Sequence, residues 1–190
     1  MNPDHLSPTA APRTASHLYK LVITPLMAAM AYILMLLEFP LIPSAPFLKM
    51  DFSEIPIIIS TVLLGPIPGI LAELIKNLLN FITKSSTGGV GELANFLIGT
   101  AYILPLGFFC RKRRTWKPVL CSCLCGILLM SAVGIIANMY LLIPLYGLED
   151  PWPFLTTGVI PFNLIKGTIL TALTLCLLKP IHALDRILRR

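Results

Sequence analysis

Long apolar runs without a charged residue are the feature that most restricts how this chain of 190 residues can fold. The first, residues 21–37, has about the length that a helix needs to cross the hydrocarbon core of a bilayer. Hydrophobic residues make up 56% of the chain and charged residues only 13%, whereas a soluble domain is about a quarter charged. The sequence therefore predicts an all-α integral membrane protein.

Breaks in the apolar pattern divide the chain into six predicted helices. Pro66 and Pro68, framed by glycines, are expected to end one helix and begin the next. The helix before this break is too short to cross the ~30 Å core unaided, and short membrane helices often border binding sites. The predicted transmembrane helices cover residues 21–37, 52–64, 68–83, 93–110, 119–143 and 157–178.

The distribution of positive charge predicts which ends of these helices face the cytoplasm. With six spans and a cytoplasmic N-terminus, 11 of the 15 Lys and Arg residues fall in cytoplasmic segments. They are Arg13, Lys20, Arg111, Lys112, Arg113, Arg114, Lys117, Lys179, Arg186, Arg189 and Arg190. This is the positive-inside pattern of a multi-pass membrane protein, so both termini are predicted to be cytoplasmic. The net charge of +6 is therefore no indication of nucleic-acid binding.

The predicted domain organisation is simple. Residues 1–17 are polar and are expected to form a disordered cytoplasmic tail rather than a signal peptide. Residues 18–190 are expected to form one six-helix transmembrane domain. The acidic residues Asp51 and Glu54 are assigned to the outer loops in this scheme.

Two polar islands between the apolar runs predict a ligand pocket. They are residues 47–56, FLKMDFSEIP, and residues 85–96, SSTGGVGELANF. Within a bilayer, irregular polar backbone is tolerated only where protein covers it or where it lines a wet cavity. The glycines of the second island would let the backbone approach a ligand with free N–H groups, although a flexible helix connection is the alternative. Their spacing does not match that of a phosphate-binding loop.

Lys166 is the most informative single residue, because a lone lysine within a membrane helix is energetically unfavourable by roughly 2.5 to 3.5 kcal/mol. Asn163 lies one helical turn before it, on the same face. Asn138, in the preceding span, falls at a similar depth. These side chains are candidate ligand contacts. The alternatives are a lysine that extends to the surface or pairs with a carboxylate, and an asparagine that only joins helices.

A polar stripe runs along the third helix at Glu73, Lys76, Asn77 and Asn80. Glu73 and Lys76 are expected to form a buried structural pair. Asn77 and Asn80, nearer the outer end, are candidate pocket residues.

The sequence contains no catalytic signature and no metal-binding pattern. The three histidines lie in the tails or at the cytoplasmic edge, and there is no HExxH or GxSxG motif. The five cysteines are odd in number and lie in or beside apolar runs, which argues against both a disulfide framework and a metal site. We therefore expect neither an enzyme nor a bound cofactor or metal.

The chain resembles the riboflavin-specific S components of energy-coupling factor (ECF) transporters. The resemblance lies in the order and the amino-acid sequence of four segments: the two islands, the stripe of the third helix and residues 161–167 (PFNLIKG). The resemblance covers roughly residues 20–180. It implies a six-helix bundle with an outward-opening vitamin pocket, capped by the loop at residues 38–53. The substrate-binding set so predicted is Asn138, Asn163, Lys166, Phe47, Leu48, Lys49, Gly88, Gly89, Val90, Glu92, Asn95 and Asn77.

The resemblance also implies partners. Such a protein delivers riboflavin together with a transmembrane coupling subunit that carries two ATPase subunits, and it docks through a small-residue face of its first helix. Here that face would be Thr24, Ala28 and Ala29, with Pro25 departing from the usual alanine.

Two alternatives stay open at this point. The first is an S component for another vitamin, such as thiamine or pantothenate. The second is a non-transport membrane scaffold whose polar residues only join helices.

Overall fold

Six helices account for most of the chain in the computed structural model, which describes residues 13–42, 48–110, 115–147 and 150–188. They are α1 (Arg13–Met35), α2 (Glu54–Leu64), α3 (Pro66–Lys84), α4 (Val90–Phe109), α5 (Trp116–Tyr146) and α6 (residues 151–188). The prediction of six helices is thus confirmed within the described ranges. Helix α1 already begins at Arg13, so residues 13–17 are helical rather than part of a tail. Residues 1–12 lie outside the described part of the chain.

Four of these helices are long and apolar enough to cross a membrane: α1, α4, α5 and α6. Helix α2 has only 11 residues, and α3 carries Glu73 and Lys76 at its centre. The break between α2 and α3 lies where the glycines and prolines predict it. Gly65 adopts a φ of +105°, which only glycine takes readily, and Pro66 begins α3, where its missing N–H leaves no bond unmade.

A short β-hairpin, which the all-helical prediction did not include, lies between α1 and α2. Its strands β1 (Phe39–Pro40) and β2 (Lys49–Met50) are antiparallel. Met50 of the second strand and Leu48, just before it, are buried and pack on α5 and α6. The predicted contact Phe47 falls outside the described residues.

The main hydrophobic core fills the centre of the bundle, where α4 packs against α3 and α5, and α5 packs against α6. Close approach of these helices depends on small residues. At Gly126 of α5, an added Cβ would lie 2.7 Å from the backbone oxygen of Tyr102 in α4. A second cluster lies under the hairpin, between it and the outer ends of α5 and α6. The hairpin therefore covers one end of the bundle.

Candidate binding site

A cavity of about 170 Å³ lies beneath the hairpin, among α1, α3, α4, α5 and α6. Its wall combines apolar and polar side chains. The lining includes Met35, Leu48, Ala94, Ile98, Leu142, Tyr146 and Phe162, and the polar residues Glu38, Lys49, Asp51, Asn80, Lys84, Ser86, Thr87, Glu92, Asn95, Asn138 and Lys166. An apolar pocket with a few placed polar groups is typical of a small-molecule site.

Asn138 and Lys166 line this cavity, whereas the predicted contact Asn163 is not among its lining residues. Asn163 lies one helical turn before Lys166 in α6, and its amide lies against Gly134 of α5. All three predicted residues are buried, with 2%, 1% and 3% of the surface of Asn138, Asn163 and Lys166 exposed. Asn138 Nδ2 donates to the carbonyl oxygen of Gly134 at 2.7 Å, and Asn138 Oδ1 has no partner. Both polar atoms of the Asn163 amide are also without a partner. Because buried amides are normally hydrogen-bonded, the two asparagines have unused capacity for a polar partner.

The backbone of both helices departs from regular α geometry next to these asparagines. A π-helical segment of α5, Asn138–Leu142, begins at Asn138 itself. A second, Leu155–Val159, lies just before Asn163 in α6. An inserted residue of this kind shifts the helical face of the residues that follow, and π segments occur frequently at functional sites.

A buried ionic network lies behind Lys166 and joins α2, α3 and α6. Lys76 Nζ lies 2.8 Å from Glu73 Oε1 and 3.2 Å from Glu54 Oε1, and it donates to Ser53 Oγ at 3.1 Å. Lys166 Nζ lies 3.9 Å from the same Glu54 oxygen. The predicted pair of Glu73 and Lys76 is present as one part of this larger network.

Asp51 and Glu54, which the charge pattern assigns to the outer side, are both buried within the protein, with 5% and 1% exposed. The physical reason is that two buried lysines, Lys76 and Lys166, need nearby carboxylates. Burial tends to raise the pKa of Asp51, but the charges of both lysines and hydrogen bonds from Ser53 outweigh it and lower that pKa below its ordinary value.

Glu38 bridges two lysines at the rim of the cavity. Its Oε1 accepts from Lys49 Nζ at 2.7 Å and from Lys84 Nζ at 3.0 Å. These contacts connect the loop after α1 with the hairpin and the end of α3. Partial burial tends to raise the pKa of Glu38, but the hydrogen bonds and charges of the two lysines lower it below its ordinary value.

The glycine-rich island places Ser86, Thr87 and Gly91 on the cavity wall, whereas the predicted contacts Gly88, Gly89 and Val90 are not among the lining residues. The expectation of free N–H groups is also wrong for this loop. The N–H of Gly89 donates to Ser85 Oγ, that of Gly91 to Thr87 Oγ1, and that of Val90 to the Thr87 carbonyl. The positive φ angles of Gly88 and Gly89 instead form the turn into α4.

Two further predicted residues, Glu92 and Asn95, line the cavity, and both are anchored by neighbours. Glu92 accepts hydrogen bonds from Asn80 Nδ2 and Thr87 Oγ1. Asn95 donates to Asn77 Oδ1 at 3.1 Å.

Asn77 itself is buried away from the cavity. Its amide donates to Glu73 Oε1 at 3.0 Å and to the Glu73 carbonyl oxygen at 2.9 Å. It therefore supports Asn95 and the ionic network rather than lining the pocket.

The predicted docking face on α1 divides into two groups. Thr24 and Ala28 are buried, with 6% and 0% exposed, because their small side chains let α1 pack against α2 and α3 of the same chain. Neither can form an external face, so that part of the prediction is wrong. Ala29 is exposed. Thr24 also lines a second, larger and mainly apolar cavity beside the junction of α2 and α3, at the end of the bundle opposite the hairpin.

Sequence reasoning missed several residues in and around the pocket, among them two carboxylates and a glycine. Glu54 and Asp51 could have been found from the need to neutralise Lys166 and Lys76. Gly134 could not, because its role depends on α6: an added Cβ there would lie within van der Waals radii of the Asn163 amide.

Comparisons with known proteins identify the family of this chain. The sequence model of the family "ECF transporter, substrate-specific component" matches residues 19–178. The chain is 38% identical over 163 residues to the riboflavin transporter FmnP of Bacillus subtilis, which covers 80% of this chain and 86% of that protein. It is 31% identical over 160 residues to the riboflavin transporter RibU of Staphylococcus aureus, with 80% and 84% covered.

A solved structure of the S component of a bacterial ECF transporter superposes with a TM-score of 0.76. The sequences are 32% identical, and the match covers 92% of this chain and 99% of the other. The chain belongs to the family of substrate-specific components of ECF transporters.

Proposed function

We propose that this chain is the riboflavin-binding S component of an ECF-type vitamin importer in the bacterial plasma membrane. It takes riboflavin from the outside and has both termini in the cytoplasm. The observation that carries the proposal is a cavity lined by Asn138 and Lys166, with unused polar atoms on Asn138 and on Asn163, one helical turn from Lys166. The names of the similar proteins support riboflavin over other vitamins.

Riboflavin matches this arrangement chemically. The pyrimidine edge of its ring system presents two carbonyl oxygens on either side of an N–H group. Lys166 Nζ and Asn163 Nδ2 can donate to the carbonyls, and an asparagine Oδ1 can accept from the N–H. The flat ring would then lie against apolar lining residues such as Leu142 and Phe162. The remaining predicted contacts on the wall, Leu48, Lys49, Glu92 and Asn95, belong to the same proposed site.

The cavity volume of about 170 Å³ is below the roughly 300 Å³ of a typical small-molecule site. Riboflavin therefore requires the mouth to widen. Glu38 holds the mouth of the cavity closed, because it pairs with both Lys49 of the hairpin and Lys84 at the end of α3. We propose that these contacts separate when the vitamin enters.

In this proposal the chain performs no catalysis. Riboflavin is its transported ligand rather than a cofactor, and ATP hydrolysis belongs to two ATPase subunits on a transmembrane coupling subunit. We place the coupling face on the exposed side of α1, which includes Ala29 and a row of large apolar side chains such as Leu26, Met30 and Ile33.

The test is ligand binding by the detergent-purified protein. Riboflavin, thiamine and pantothenate are compared by their effect on the melting temperature, and riboflavin is also titrated through the quenching of its fluorescence. A ligand at 100 times its Kd stabilises the folded state by about 2.7 kcal/mol. We expect this stabilisation from riboflavin alone. Stabilisation by another vitamin instead would indicate a different S component, and none at all would indicate a scaffold protein.

Replacing Lys166 with Met tests the site itself. A hydrogen bond to a charged group contributes about 1.5 to 3 kcal/mol, so riboflavin affinity should fall about 10- to 150-fold. The fold should persist, because Glu54 keeps its contact with Lys76. Lys20→Met, at the rim of the second cavity, is the matched control and should bind riboflavin normally. Unchanged affinity in a well-folded K166M protein would remove Lys166 from the site.

A further inference from the structure

We propose that Glu54 is a positioning residue for Lys166: it neutralises this buried lysine from a distance and so leaves the lysine N–H groups available to the ligand. The inference rests on the proposed function, because it takes Lys166 as a contact of riboflavin.

The distance between the two side chains carries the argument. Lys166 Nζ lies 3.9 Å from Glu54 Oε1, which is within an ion pair but too long for a hydrogen bond. Among the described residues, Lys166 donates no hydrogen bond, although only 3% of the residue is exposed. Lys166 is one of the residues that line the cavity. The lysine therefore has a counter-charge and three donors that no protein atom uses.

Lys76 explains why Glu54 does not move onto Lys166. Its Nζ lies 3.2 Å from the same Glu54 oxygen, and it is held in turn by Glu73 and Ser53. The Glu54 carboxylate is thus drawn toward Lys76 of α3. The backbone of α4 leaves room for this arrangement, since a Cβ on Gly99 would lie 3.2 Å from Glu54 Oε1 and 2.5 Å from Glu73 Oε1.

Removal of the Glu54 charge should misplace Lys166 rather than abolish the pocket. An uncompensated charge in the interior is strongly unfavourable, so the ammonium group will move toward the next carboxylate. Asp51 is that carboxylate: it lines the cavity, and its charge interacts with Lys166. In Glu54→Gln, which keeps the shape of the side chain, Lys166 should therefore turn toward Asp51 and away from the flavin.

A double-mutant cycle on the full-length protein in detergent tests this mechanism. Riboflavin Kd is measured for the unaltered protein, Glu54→Gln, Lys166→Met and the double variant. We expect Glu54→Gln to weaken binding about tenfold when Lys166 is present and less than twofold when it is replaced. The difference, about 5- to 10-fold, corresponds to about 1.0 to 1.4 kcal/mol of coupling, within the range for residues in contact. Equal losses in both backgrounds, or no loss in either, would overturn the proposal.

Glu73→Gln is the matched control, because it removes a buried carboxylate whose ion pair is with Lys76, while its charge acts on Lys166 only at longer range. Its effect on binding should depend less on Lys166 than that of Glu54→Gln does, and coupling as large as that of Glu54 would contradict a specific role for Glu54. If Glu54→Gln fails to fold, Glu54→Asp takes its place: it keeps the negative charge on a side chain that is one methylene group shorter. The same cycle then applies, and purely additive losses overturn the proposal.

The cycle also separates this inference from the proposed function. If the unaltered protein binds no riboflavin, both fail. If it binds and Lys166→Met weakens binding, while Glu54→Gln is additive with it, only the positioning role fails.

Discussion

Replacing Gly134 with Ala should weaken riboflavin binding without unfolding the protein. Gly134 serves both asparagines of the site: its carbonyl oxygen accepts from Asn138 Nδ2, and its missing side chain leaves space for the Asn163 amide. An added Cβ would overlap that amide and would lie 3.2 Å from Asn163 Cγ. Because the overlap is with the end of a side chain, Asn163 should rotate away while both helices stay in place.

The expected magnitude follows from the bonds that the rotated amide loses. Asn163 offers one donor and one acceptor to the ligand, and a neutral hydrogen bond contributes about 0.5 to 1.5 kcal/mol. Losing both costs about 1 to 3 kcal/mol, which raises the Kd of riboflavin about 5- to 150-fold. In contrast, Gly→Ala within a helix favours folding by about 1 kcal/mol, so the melting temperature of the unliganded protein should not fall.

Fluorescence titration with riboflavin, together with melting curves without ligand, measures both effects. Gly126→Ala in the same helix is the control, because its Cβ meets the Tyr102 backbone, which cannot turn aside. That variant should lose about 1 to 3 kcal/mol of stability, as overpacked cores do, while the protein that still folds binds normally. Full riboflavin affinity in Gly134→Ala would refute the reasoning, and so would a further loss when Asn163 has already been replaced by Ala.

Two other predictions follow from the structure. Ala28→Trp should destabilise the protein and so remove binding and uptake together, because Ala28 is fully buried. Ala29 is exposed, so Ala29→Trp should keep riboflavin binding and lose uptake in cells. A stable Ala28→Trp protein would contradict this packing. Glu38→Gln should bind riboflavin about 2- to 30-fold faster at pH 7, because the mouth then opens without breaking its two partly exposed ion pairs, which contribute about 0.2 to 1 kcal/mol each. Since the folded-state pKa of Glu38 is lowered, its bridge is intact above the ordinary value of 4.5 and is lost as the pH falls through the lowered pKa. The unaltered protein should therefore approach the variant's association rate only below about pH 4.5, and equal rates at pH 7 would remove the bridge from the mouth.

Much of the fold was predictable because a bilayer restricts sequences so strongly. Uncharged runs of bilayer length predict α1, α4, α5 and α6, and the prolines and glycines at residues 65–69 predict where α2 ends and α3 begins. The same restriction makes Lys166 conspicuous, since a lysine in such a run needs a function or a partner. It has a partner in Glu54, and it lines the same cavity as Asn138.

The hairpin between α1 and α2 was not predictable, because two-residue strands leave almost no periodic signal in a sequence. Its position depends on the apolar cluster that Leu48 and Met50 form with α5 and α6.

The sequence by itself determined the class of protein, the number of helices and the chemical type of the ligand-binding residues. Only the tertiary structure decided which partners these residues have. The spacing of Thr24 and Ala28 identifies a small-residue face, but the structure turns that face toward α2 and α3 rather than toward another subunit. Likewise, the sequence shows carboxylates and lysines, but their pairing across α2, α3 and α6 depends on distances in space. Helical periodicity specifies which side chains share a face, and it carries no information about which neighbouring helix that face will meet.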